Sequence, residues 1–159
     1  MKNHIKGILV LSLLLLSGCS DDLNEQAASA NEYGNSLEKK QIVKRQFDPI
    51  QYSNGQKLYA QNCAVCHGKH AEGADNWQRR TEDGKFPPPP LNGTAHTWHH
   101  STEVLTDVIK NGTGNMGGNM PAWKNKLNDK DIANILVFIQ AQWSDEIYTV
   151  WYNNFHATN

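Results

Sequence analysis

The sequence predicts an all-α fold of three to five short helices wrapped around one centre, and three observations carry that expectation. Two stretches after residue 100 repeat apolar residues at helical spacing behind good N-caps. No segment shows a strand-like alternation of apolar and polar residues. The third observation is Cys63-Ala64-Val65-Cys66-His67, which sets two thiols and an imidazole on one helical turn.

Taken in chain order, Lys2 and Lys6 precede an apolar run from Ile8 to Leu16. That run is shorter than the roughly 18 to 20 residues a membrane-spanning helix needs, so residues 1–18 read as a signal peptide. It closes with Leu16-Ser17-Gly18-Cys19, which resembles the lipobox of bacterial lipoproteins. The resemblance implies cleavage before Cys19 and lipid on that residue; an ordinary cleaved signal with a stray cysteine is the alternative. Ser20 stands where an aspartate would retain such a lipoprotein in the inner membrane, so the resemblance implies anchoring to the outer membrane, facing the periplasm, with the inner membrane as the alternative. Residues 19–47 are rich in Ser, Asn, Ala and Gln and read as lipid anchor and flexible tether.

The compact domain is expected over 48–143. Its first helix starts either at Asp48-Pro49 or at a Ser53/Gln56 capping box, and runs into Cys63. Ser101 can cap a second helix with Val104, Leu105, Val108 and Ile109 on one face, stopping at Asn111-Gly112. Asn128 can cap a third, with Asp129 and Asp131 complementing the macrodipole and Ile132, Ile135, Leu136 and Ile139 facing inward. Residues 144–159 form an amphipathic tail, with Ser144 as cap and Ile147, Val150, Trp151 and Phe155 as its stripe.

Cleavage of the signal leaves 13 basic residues against 16 acidic ones, a balance that argues against nucleic acid as a partner. The pentapeptide points instead to haem: Cys63 and Cys66 can add across its vinyl groups, which brings His67 to the iron. A redox dithiol would need a βαβ setting, which the chain does not show, and a structural zinc site a second ligand pair at similar spacing, for which no second pair of cysteines exists. The iron then needs either an open face or a second ligand. Met120 ends a glycine-rich stretch and is backed by Pro121; Met116 is its rival in the same loop. A thioether favours ferrous iron and so raises the potential.

The chain resembles the class I monohaem cytochromes c over nearly all of 48–143. The resemblance rests on Gly55 and Tyr59, Cys63-Ala64-Val65-Cys66-His67-Gly68, Pro89-Pro90-Leu91-Asn92-Gly93, Met120-Pro121-Ala122-Trp123 and Ile135-Leu136-Val137-Phe138-Ile139. It implies the class I cytochrome c fold, with the first and last helices crossing at Gly55, Tyr59 and Phe138. It also implies one covalent haem c ligated by His67 and Met120, and a proline carbonyl, assigned to Pro89, that orients His67. Four consecutive prolines, Pro87 to Pro90, leave that assignment open by one residue.

Three histidines in five residues, His96, His99 and His100, admit a copper or zinc site, an alternative axial ligand, or a polar loop in which His99 and His100 bond backbone or haem propionates. Arg79 and Arg80, in a long loop with Trp77, can neutralise propionates or lie in solvent. Lys124, Lys126 and Lys130 can steer an acidic partner. The expected function is that of a monomeric, lipid-anchored electron carrier between a redox-protein donor and acceptor, not an enzyme. A haem sensor or small haem enzyme with a displaceable methionine, and a copper-handling module, are the alternatives.

Overall fold

The computed structural model describes residues 41–156. The signal peptide expected over 1–18, Cys19 and most of the expected tether lie outside the described residues. Five α-helices are present among the described residues: α1 Pro49–Asn62, α2 Ala64–His67, α3 Thr102–Asn111, α4 Asp129–Ala141 and α5 Asp145–Phe155, with short 3₁₀ turns at His96–His99 and Gly114–Met116. There is no strand among them beyond one isolated bridge between Phe86 and Gly118. The fold is all-α, as the resemblance implies. None of these helices is long and apolar enough to cross a membrane.

The helix starts follow local chemistry. Asp48, rather than Ser53, caps α1: its carboxylate accepts from the Ile50 and Gln51 amides at 2.7 and 3.2 Å, and Pro49 takes the first helical position, where no amide is missed. The Ser101 hydroxyl accepts from Val104 and Ser144 from Ile147. Asn128 and Asp131 form a reciprocal capping box at α4. Gly112 ends α3 at φ 74°, a conformation that disfavours any side chain.

α1 and α4 make the principal helix packing of the domain. They approach so closely at Gly55 that a Cβ there would overlap the Asn134 carbonyl. Phe138 of α4 fills the crossing, with ring centroids 4.9 Å from Tyr59 and 5.8 Å from Tyr52. Ile132, Ile135, Leu136 and Ile139 are all buried, joined by Leu105 and Ile109 of α3. Burying each such side chain contributes about 1.5–3 kcal/mol.

The compact unit begins at Ile42 and takes in α5, so it is wider than the expected 48–143. The reason is a clasp that no local pattern announces. The Arg45 guanidinium donates to the Gln140 and Trp143 carbonyls at 3.0 and 2.7 Å, at the open C-terminal end of α4, and pairs with Asp145. Thr149, fully buried in α5, receives the Val43 amide at 2.9 Å and donates to the Asp145 carbonyl. The stripe expected on the tail is therefore shifted: Thr149 and Trp151 are buried, and Phe155 stays exposed. Trp143 and Trp151 stand edge to face at 5.6 Å and donate their indole N–H groups to the Leu91 and His100 carbonyls.

Candidate functional site

A cleft of about 760 Å³ opens between α1–α2, the proline segment, α3 and the methionine loop. Cys63, Cys66 and His67 line it from one side, and Met116 and Met120 also line it. Its apolar wall comes from Leu105 and Ile109 of α3 and Leu136 and Ile139 of α4, extended by Val104 and Val108. All four positions of the inward stripe read from α3 thus face the cleft, and Leu105 and Ile109 are also buried in the core.

His67 is buried, and its Nδ1 lies 2.9 Å from the Pro89 carbonyl. A carbonyl can only accept, so the ring proton sits on Nδ1 and the Nε2 lone pair is left for the cleft. Burial pushes the His67 pKa below the usual histidine range, with the Pro89 bond opposing it, so the ring stays neutral. The choice among the consecutive prolines is made by their neighbours. The Pro88 carbonyl accepts from the Ala74 amide at 2.9 Å and the Pro90 carbonyl from the Thr97 hydroxyl at 3.1 Å, which leaves the Pro89 carbonyl to the imidazole. Ala71, fully buried at φ 58°, holds the segment further by accepting from the Leu91 and Asn92 amides.

Cys63 is half-buried and Cys66 exposed. Burial, reinforced by the neighbouring Cys66, raises the Cys63 thiol to about 11, so an unmodified Cys63 is a protonated thiol at neutral pH. Tyr59 donates its hydroxyl to the Gly68 carbonyl at 2.9 Å, just beyond His67.

Thr113 organises the opposite loop. Its hydroxyl accepts from the Met120 amide and its own amide donates to the Met120 carbonyl, both at 3.0 Å. Met120 is half-buried against the core, whereas Met116 is 60% exposed. Both methionines line the cleft, but only Met120 is held there by packing.

Among the described residues, no group of three His, Cys, Asp or Glu side chains is arranged to hold a metal ion. His96 stacks on Trp77 at 5.2 Å and meets His100 edge-on at 5.6 Å, while His99 turns onto Trp98 at 3.9 Å. The backbone reason is the end of the 3₁₀ turn at His99, after which His100 is extended. His96 and His100 line the cleft and His99 does not, which differs from the pairing of His99 with His100 read from the sequence. Arg80 is engaged outside the cleft, donating to the Gly84 carbonyl at 2.6 Å and lying 4.0 Å over the Phe86 ring. Lys124 reaches Asn111, and Lys126 lies over the Trp123 ring.

Residues 51–139, more than half of the chain, match the family described as cytochrome c oxidase, cbb3-type, subunit III. The chain belongs to that family. It is a monohaem c-type cytochrome, and its cofactor is haem c. Over 98 residues it is 30% identical to the Cbb3-type cytochrome c oxidase subunit CcoP of Azospirillum brasilense, covering 62% of this chain and 30% of that one. Over 92 residues it is 32% identical to the CcoP subunit of Azospirillum sp. (strain B510), covering 58% and 29%. Subunit FixP of Bradyrhizobium sp. (strain ORS 278) is 30% identical over 87 residues, covering 55% and 26%. The cytochrome thus spans less than a third of the length of these relatives. No solved structure matches it.

The cleft of this cytochrome suits haem c on its donor set. A neutral imidazole nitrogen, a thioether and two thiols share one apolar cavity, the combination that soft and borderline iron ligation and thioether attachment require.

Proposed function

We propose that this cytochrome is a lipid-anchored, periplasm-facing carrier that passes single electrons between redox-protein partners, with haem c tethered by Cys63 and Cys66 and ligated by His67 and Met120. The observation that carries the reading is the His67 ring: its Nδ1 is committed to Pro89, so its Nε2 is unprotonated and available to the cleft that Met120 also lines. When bound, haem supplies a one-electron ferric/ferrous couple. Pro89 orients the proximal imidazole and strengthens it as a donor, the Thr113 pair holds Met120 in place, and Leu105, Ile109, Leu136 and Ile139 keep the site apolar. Because these groups can stay fixed in both oxidation states, little reorganises when an electron moves. The relatives' names, subunits of a cytochrome c oxidase, support a respiratory acceptor or donor. The Leu16-Ser17-Gly18-Cys19 sequence supports anchoring by lipid on Cys19, at the outer membrane.

The test is mature protein from a host that matures c-type cytochromes. Its mass is expected to carry both a porphyrin and a lipid increment, and its ferric form the weak near-infrared band of a methionine–iron bond. Met120→Ala is expected to keep the haem, lose that band, lower the potential and open the iron to carbon monoxide. Unchanged redox behaviour in that variant would remove Met120 from the ligand set. Carbon monoxide or peroxide binding by the unaltered protein would instead favour a sensor or a small haem enzyme.

A further inference from the structure

We propose that His96 and His100 bind the carboxylate groups of the cofactor and couple its reduction to proton uptake. This rests on the haem reading above. The starting observation is the charge of the cleft wall: among the described residues lining it there is no Lys, Arg, Asp or Glu. Haem c brings two propionate carboxylates into that surrounding, and a partly buried carboxylate needs hydrogen-bond donors or a cation.

Of the wall's other polar side chains four are already committed, while Gln78 and the indole N–H groups of Trp77 and Trp123 can donate but do not take up a proton. The Asn62 amide donates to the Leu58 carbonyl, the Thr97 hydroxyl to the Pro90 carbonyl, the Thr113 hydroxyl accepts from Met120, and Asn119 reaches Asp83. The ring nitrogens of His96 and His100 make no hydrogen bond to the described residues; both rings line the cleft and stand 5.6 Å apart. Trp77, stacked on His96, also lines the cleft. His96 is exposed and His100 half-buried, the gradation expected at a cleft mouth, where propionates reach solvent. Besides His67, whose Nδ1 is bound to Pro89, these are the only two imidazoles on the wall among the described residues.

The charged groups around them are few. Burial, then His100 and His99, lower the proton affinity of His96, and a propionate opposite the ring acts in the other direction. At the C-cap of α5, the His156 ring lies tilted 4.4 Å from Trp151, whose indole N–H donates to the His100 carbonyl. From the start of α3, Thr102 meets His156, and the Glu103 carboxylate is drawn to Ser101 and to the same His156. Arg80 of the loop before the prolines is turned onto Phe86.

The balance is one electron and a fraction of one proton. An external one-electron donor reduces ferric to ferrous iron, which removes one positive charge from the site; an imidazole nearby then takes a proton from water, and no bond to carbon changes. The sign follows: imidazolium favours the ferrous state, so the potential falls as pH rises through the histidine range.

The experiment is spectroelectrochemical titration of the full-length haem-loaded protein between pH 5 and 9, beside His96→Gln, His100→Gln, the double variant and His99→Gln. The reduction equilibrium constant of the unaltered protein is expected to fall on the order of three- to tenfold across the transition, the coupling of one elementary charge through a partly solvated medium. Each single variant should shrink the step, the double variant should abolish it with the near-infrared band intact, and His99→Gln should keep it. A double variant with the unaltered profile overturns the proposal. Should that variant fail to hold haem, nuclear magnetic resonance titration of the unaltered protein decides: both imidazoles must bind protons more tightly in the ferrous form, and equal midpoints in the two oxidation states overturn the assignment. Absence of porphyrin from the unaltered protein overturns the ligand reading itself, whereas a haem-loaded, methionine-banded protein with a pH-independent potential overturns only the role of the histidines.

Discussion

On the His67 side of the cleft the backbone is tied to a second segment at Gly73, Ala74, Leu91 and Asn92, and the ring itself to Pro89, whereas the Met120 backbone is bonded to one residue, Thr113, and the rest of its loop is tied at Gly117 to Phe86 and at Asn119 to Asp83. The first wall is built from prolines and buried turns; the second is a glycine-rich stretch in which Met116 is left exposed. A wall with redundant bonds holds a ligand's orientation through many fluctuations, and a wall whose ligand is bonded through one residue can open locally at a modest cost. The methionine side is accordingly where this cytochrome is expected to yield first.

The contrast can be broken most severely at Gly73. It sits at φ 65°, and a Cβ there would meet the Pro89 and Pro90 backbone, with the Pro89 carbonyl oxygen 2.8 Å away. Gly73→Val combines backbone strain with displacement of the segment that orients His67, and should cost about 3 kcal/mol or more in denaturant unfolding. A variant as stable as the unaltered protein would mean that the proline segment is not a rigid support.

Thr113→Val acts on the other wall. It leaves the half-buried Met120 amide without its acceptor, at a cost of about 1–3 kcal/mol. The near-infrared band should fade at a lower temperature and carbon monoxide should bind faster, with His67 ligation unaffected. Equal loss on both sides would dissolve the distinction between the walls.

Tyr59→Phe gives the smallest expected change, about 1 kcal/mol for the bond to the Gly68 carbonyl. Burial, with lesser contributions from Cys63 and Glu72, raises the Tyr59 phenol well above its ordinary value near 10. The folded state therefore keeps its full stability below pH 10 and loses it as pH rises above 10, where the unfolded chain ionises first. The phenylalanine variant should show a flatter alkaline limb, and an unchanged limb would assign alkaline unfolding to other groups.

Much of this molecule could be read residue by residue because its signals are local. The thiol pair and His67 share a helical turn, Ser101, Asn128 and Ser144 cap the helices they precede, and Gly112 stops α3 where it was expected to. Each of these depends on neighbours within a few positions in the chain. The crossing of α1 and α4 at Gly55 and Phe138 was available only through family resemblance, since nothing near Gly55 in sequence shows which backbone will approach it.

Tertiary structure alone decided the rest. It assigned one carbonyl of the proline run to each of Ala74, His67 and Thr97, drew residues from Ile42 and α5 into the compact unit, and turned His96 and His100 into the cleft while sending His99 to Trp98. Chemically equivalent residues in a row carry no local mark of their partners. Contacts such as Arg45 with Gln140 and Trp143, or Val43 with Thr149, join positions about a hundred residues apart, and their hydrogen bonds exist only once the intervening helices have packed.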